Sequence, residues 1–192
     1  MSDIAKLDPA LVRKIVMGFP ESPDWQSLNC AELVQSARAK KLKTRDWSPL
    51  DHCKGIGGVY AFIFPAHLFS VPRRIELHSP NKQTITFEFS SHPELLLPDG
   101  RMAIYIGRSA NLLDRIQGHF GLSKVSTLAQ VQFGLYKSGM CSSRAEAVLF
   151  MLKDATLAYT VLDGPINVAN RDVIEVALWA KYMTPFNIKS EH

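Results

Sequence analysis

The chain has 192 residues, 46% of them hydrophobic, and a formal net charge of +4. That size suits one domain with an extension, or two small ones, with enough apolar material for a full core. It holds no apolar run of about 18 residues, which excludes a membrane-spanning helix, and its modest basic excess permits a nucleic-acid partner without requiring one.

Cys30, Cys53 and Cys141 are scattered and form no CxxC pair, so neither a disulfide framework nor a zinc finger is expected. The opening Met1-Ser2-Asp3-Ile4-Ala5-Lys6 lacks the apolar block of a signal peptide. A reducing, cytoplasmic setting fits both observations.

Residues 1 to about 50 read as a helical extension. Asp8-Pro9 predicts a cap with proline at the first helical position, leading into Leu11, Val12, Ile15 and Val16. Asn29 with Glu32 predicts a capping pair before a second helix running to about Leu42. Arg38, Lys40, Lys41, Lys43 and Arg45 cluster at its end. Either they are a solvated helix terminus, where cations favour the dipole, or an arm that contacts phosphates.

From Gly55 the texture changes. Gly58-Val59-Tyr60-Ala61-Phe62-Ile63-Phe64 is apolar on both faces, as a buried strand is. Residues 73–89 alternate through Ile75, Leu77, Ile85, Phe87 and Phe89 around a Ser79-Pro80-Asn81-Lys82 turn, which predicts a hairpin. Met102 to Ile106 is a second buried strand, ended by Gly107, and a helix is expected from about Ser109 to Phe120. Residues 125–140 hint at a short strand through Val131, Phe133 and Leu135. A helix capped by Ser142 or Ser143 runs to about Asp154, a third core strand covers Thr156 to Leu162, and a last helix spans about Arg171 to Met183.

Several residues are hard to assign to ordinary core or surface. On a helix from Ser109, at about 100° per residue, Arg108, Asn111, Arg115 and His119 share an arc of about 80° bordering the apolar stripe. That stripe either lines a cleft or is the wet side of an ordinary amphipathic helix. In the last helix Glu175 is surrounded by Val173, Ile174, Val176, Ala177, Leu178 and Trp179, and a helix apolar all round is expected to be buried. A buried carboxylate needs compensation, so Glu175 calls for an arginine partner or a hard divalent ion. Tyr60 and Tyr105 would be unremarkable core tyrosines but for Gly58 and Gly107 beside them, which permit close approach of another backbone.

Taken together these residues resemble the GIY-YIG nuclease superfamily. Its name motifs correspond to Gly58-Val59-Tyr60 and Tyr105-Ile106-Gly107, its helical arginine to Arg115, and the histidine a turn later to His119. Its metal-binding glutamate corresponds to Glu175, and its terminal Pro-x-Asn to Pro185-Phe186-Asn187. Six elements in order are far more specific than any one triplet. The long stretch between Tyr60 and Tyr105 departs from the family's short loop, and Arg108 stands where many members carry lysine.

The resemblance implies an α/β (α+β) fold: a small three-stranded antiparallel sheet flanked by helices, with an inserted β-hairpin and an N-terminal helical extension. Residues 1–50 would be the extension, and 51–192 the nuclease domain with an insertion at about 66–100. It implies a Mg²⁺-dependent (or Mn²⁺-dependent) DNA endonuclease of restriction type. Tyr60 would be the general base or water-orienting group, Arg115 would stabilise phosphoryl charge and Glu175 would hold the metal. Tyr105 and His119 would complete the catalytic set. Arg108, Asn111 and Asn187 would meet the nucleic acid, as would Lys40, Lys41 and Lys43. A structure-specific repair nuclease and a non-catalytic nucleic-acid-binding protein on the same fold are the alternatives. A double-strand cut by one site per chain would imply a homodimer or sequential nicking.

Overall fold

A computed structural model describes residues 7–33, 46–78, 84–121 and 130–187. The basic cluster with Lys40, Lys41 and Lys43 lies outside the described residues, as does the hairpin turn at 79–82.

The centre is a four-stranded antiparallel sheet in the order β1-β6-β2-β5, built from β1 (Gln26–Asn29), β2 (Gly58–Pro65), β5 (Arg101–Ser109) and β6 (Thr156–Val161). A separate hairpin, β3 (Arg73–His78) with β4 (Thr84–Phe89), occupies the stretch between the two motif strands. β2 and β5 are buried almost throughout, in keeping with their unbroken apolar runs.

Helices cover both faces. On one, α2 (Leu112–His119), α3 (Gln130–Lys137) and α4 (Arg144–Asp154) enclose Tyr60, Phe62, Phe64, Met102 and Tyr105. On the other, α1 (Pro9–Met17), the turn after it and α5 (Val168–Tyr182) pack Ile15, Phe19, Ile174 and Leu178 on Val59, Ala61, Ile63 and Ile106. Each fully buried Val, Leu, Ile, Phe or Met among them contributes about 1.5–3 kcal/mol through removal from water.

The β2–β5 ladder contains an irregularity that decides which side chains face which helices. Phe62 pairs with Tyr105 but Ile63 pairs with Ala103, so Ile104 is an extra residue in β5. Tyr105 and Met102 are three apart and would point to opposite faces of a regular strand. The bulge lets both join the same core beside Phe62 and Phe64.

Local chemistry explains the element ends. The Asp8 carboxylate accepts from the backbone N–H groups of Ala10 and Leu11 at 3.0 and 3.1 Å, starting α1. Ser143 caps α4 by accepting from Glu146 N–H. Asn29 and Glu32 do form a reciprocal pair: Asn29 Oδ1 accepts from Ala31 N–H and Glu32 Oε1 from Asn29 N–H. Among the described residues they cap a 3₁₀ turn, Cys30–Leu33; the rest of the expected helix, to about Leu42, lies outside the described residues.

Three expectations need correction. The sheet has four strands, because Gln26–Asn29 pairs with β6 where the reading of residues 1–50 allowed only helices. A four-residue edge strand with one buried residue, Leu28, is too short to carry a period. Val131, Phe133 and Leu135 belong to α3, whose buried positions include Val131 and Leu135, four apart, while Phe133 is half-buried. α5 is not buried all round: Val173, Val176 and Trp179 are 41, 41 and 42% exposed.

A side chain at Gly58 has no room. An added Cβ would lie 2.2 Å from the backbone oxygen of Thr160 and 2.7 Å from Leu112 Cδ1. Gly58→Ala is expected to destabilise the protein by about 1–3 kcal/mol, the usual cost of overpacking. Thermal or urea unfolding of the variant against the parent checks this.

Candidate functional site

β2, β5 and α2 bring Tyr60, Tyr105, Arg115 and His119 together on one face of the sheet. β2 carries Tyr60, and β5 places Tyr105 beside it through the bulge, with ring centroids 5.9 Å apart. α2 is anchored by Asn111, whose side chain accepts from Asp114 N–H at its N-terminus and from Gly55 N–H of the preceding loop. One turn apart on that helix, Arg115 and His119 point back at the tyrosines.

The contacts are specific. His119 Nε2 lies 2.7 Å from Tyr60 Oη. Arg115 Nε donates to Tyr60 Oη at 3.2 Å, and its Nη2 reaches Tyr105 Oη at 3.4 Å. Gly107 pairs with Tyr60 in the ladder, and an added Cβ there would lie 2.7 Å from Tyr60 Oη and 2.9 Å from Tyr105 Oη. The glycine is therefore needed for tyrosine side chains, where close approach of a backbone was expected. Tyr60, Tyr105 and His119 are at most 1% exposed and Arg115 is 8% exposed.

Burial sets the protonation states. It pushes the Tyr60 hydroxyl well above the usual tyrosine range; Tyr105 reinforces this, and the Arg115 guanidinium opposes it. His119 is held well below the usual histidine range, by burial first and by the Arg115 charge second. Both side chains are neutral at pH 7. His119 Nδ1 is buried without a hydrogen-bond partner. An orphaned N–H is rarer than an unpaired acceptor, so we assign the proton to Nε2, which donates to Tyr60 Oη.

Glu175 and Arg108 stand elsewhere. β5 continues through Ser109, paired with Gly58, so Arg108 is a strand residue and not part of the α2 stripe. Alternation sends it to the α5 side, where its Nε lies 3.0 Å from Glu175 Oε2 and 2.9 Å from Asp172 Oδ1. These are ion-pair distances; Arg108 Nε and Asp172 Oδ1 lack hydrogen-bond geometry. Asp172 was not anticipated, though its spacing of three from Glu175 on a helix was available as a signal.

The arginine partner foreseen for Glu175 is thus present. A hard cation also fits the donor chemistry, because Mg²⁺ binds through one or two carboxylates and completes its shell with water and substrate phosphate. Any such ion at Glu175 would have to compete with Arg108. Among the described residues, no three His, Cys, Asp or Glu side chains are grouped to hold a metal.

Asn187 ties the C-terminal segment to the open edge of β5. Its Oδ1 accepts from Ile106 N–H at 2.9 Å and from Thr184 Oγ1 at 2.5 Å, and its Nδ2 donates to Ile106 O. Phe186 N–H adds a bond of 3.0 Å to the bulge carbonyl of Ile104. The side chain acts as a short strand partner for the segment between Tyr105 and Gly107.

The neutral His119 has a consequence for acid stability. Its folded pKa lies below the unfolded value near 6.5, so the unfolded chain binds the proton first as pH falls. This stability is complete above about pH 6.5 and should be lost below it at up to about 1.4 kcal/mol per pH unit. Urea unfolding at stepped pH should show that slope in the parent and a shallower one in His119→Gln.

No protein-family model matches the chain, and neither does any curated protein or any solved structure.

Proposed function

We propose that this protein is a DNA endonuclease that hydrolyses phosphodiester bonds at the Tyr60–Tyr105–Arg115–His119 cluster. The observation that carries the reading is the convergence of one guanidinium on two tyrosine hydroxyls, one of them also held by a neutral histidine. A guanidinium is suited to phosphate because its donors form a fixed fork and its charge persists at all working pH values.

In this proposal Arg115 binds the scissile phosphate and neutralises the charge that develops on it. Tyr60, kept as a neutral phenol by burial, orients the attacking water. It becomes a base only when bound positive charge lowers its pKa. His119 holds the Tyr60 hydroxyl through its Nε2 proton, and Tyr105 fixes the second arm of Arg115. Glu175, with Asp172 beside it, lies on the α5 side of β5, across the strand from the cluster. There it would hold a Mg²⁺ or Mn²⁺ ion for phosphate at the end of the strand, where a bound ion polarises phosphate and stabilises the leaving oxygen. Arg108, displaced from the carboxylates, would then face the phosphate backbone.

Two observations favour a second reading, a nucleic-acid-binding protein without catalysis. The cluster is buried, and Glu175 already has a cation in Arg108. Supercoiled plasmid separates the two. With Mg²⁺ the parent is expected to nick or linearise it, EDTA should stop the reaction, and Arg115→Ala and Glu175→Ala should each lower the rate by about 10²–10³. Cutting at the parental rate by either variant would sink the assigned roles. Binding without cutting under all metal conditions would select the second reading.

A further inference from the structure

We propose that Gln26, His52 and Tyr159 form a second station for the DNA backbone, alongside the cluster at Tyr60 and on the same face of the sheet; this rests on the nuclease reading above. The argument begins with register. Tyr60 pairs directly with Gly107 on one side and Tyr159 on the other, and Tyr159 pairs with Gln26. Directly paired residues share a face. One level of the sheet therefore reads Gln26, Tyr159, Tyr60, Gly107 across all four strands. The next level reads Leu28, Leu157, Phe62, Tyr105, and is apolar until it reaches the proposed site. The polar level marks the rim of the core.

The three side chains come from β1, the 3₁₀ turn Ser48–Cys53 and β6. Tyr159 Oη lies 3.1 Å from His52 Nε2, which lies 3.2 Å from Gln26 Oε1, and the His52 ring leans on the Tyr159 ring at 5.8 Å. Tyr159 is buried, whereas His52 and Gln26 are exposed. Burial raises the Tyr159 hydroxyl to about 12, so it remains a neutral O–H donor. His52 Nε2 offers only one proton or one lone pair to two oxygens, which leaves hydrogen-bonding capacity for a ligand. The Gln26 amide adds N–H donors, and exposed Lys54 adds a cation two residues beyond His52.

Exposed neutral donors suit a phosphate oxygen. Strands are spaced by about 4.8 Å, which puts Tyr159 roughly 5 Å and Gln26 roughly 10 Å from Tyr60. That span is comparable to the separation of neighbouring phosphates along one DNA strand. The station therefore meets a phosphate about one to three nucleotides from the cut.

The test uses the full chain and a fluorescein-labelled DNA duplex carrying the cleaved sequence, with binding read by anisotropy in EDTA and cutting in Mg²⁺. Gln26→Ala/His52→Ala should raise the Kd about tenfold, and in cutting assays the loss should appear chiefly in KM. A neutral methylphosphonate placed one to three nucleotides from the cut should weaken the parent but have little further effect on the double variant. Tyr159→Phe, which keeps the ring, should show part of the same loss. Parental affinity and full sensitivity to the methylphosphonate in the double variant would overturn the station. If Arg115→Ala is then inactive, the nuclease reading still stands. A parent that neither binds nor cuts DNA would overturn both.

Discussion

Much of the structure depends on one extra residue in β5. With Ile104 bulged, β5 can turn Met102 and Tyr105 toward the same core and still continue as a paired strand to Ser109. The bulge also fixes parity beyond it. Tyr105 and Gly107 face Tyr60 and α2, while Ile106 and Arg108 face α5. A one-residue slip in that ladder would exchange these sets, because strand side chains alternate with a period of two. The carbonyl at the bulge is taken up by Phe186 N–H, and the next accessible pair of backbone groups by Asn187, so the irregular edge is closed by the C-terminal segment.

The two arginines near the end of this ladder experience opposite surroundings. Arg115 is buried, and it donates to the Tyr60 and Tyr105 hydroxyls beside the His119 imidazole. Arg108 meets two carboxylates on α5, at a less buried position. A buried cation is costly unless its donors are satisfied, and hydroxyl acceptors supply that. A cation already flanked by carboxylates presents little field. If phosphate binds at this end of the sheet, Arg108 contributes only after its carboxylates find another cation.

The paired apolar strands, the hairpin and helices α1, α2, α4 and α5 were legible because each carries a local signal of cap, period or turn. β1 and α3 were not. β1 is four residues with a single buried side chain, and it exists because β6 has an edge to pair with. Val131, Phe133 and Leu135 fit a strand period as well as a helical one. Only packing of α3 against its neighbours separates Val131 and Leu135, which are buried, from Phe133, which is not fully so.

The candidate site divides in the same way. The family resemblance, carried by residue order, singled out Tyr60, Tyr105, Arg115, His119, Glu175 and Asn187, because motif triplets and helical spacing are local in sequence. Whether those residues meet is a property of the fold. Strand register and the Ile104 bulge bring the first four together, and alternation hands Glu175 to Arg108 on the opposite face. The association of Gln26, His52 and Tyr159 has no sequence signal at all, since three distant segments supply one residue each and only long-range pairing sets them side by side.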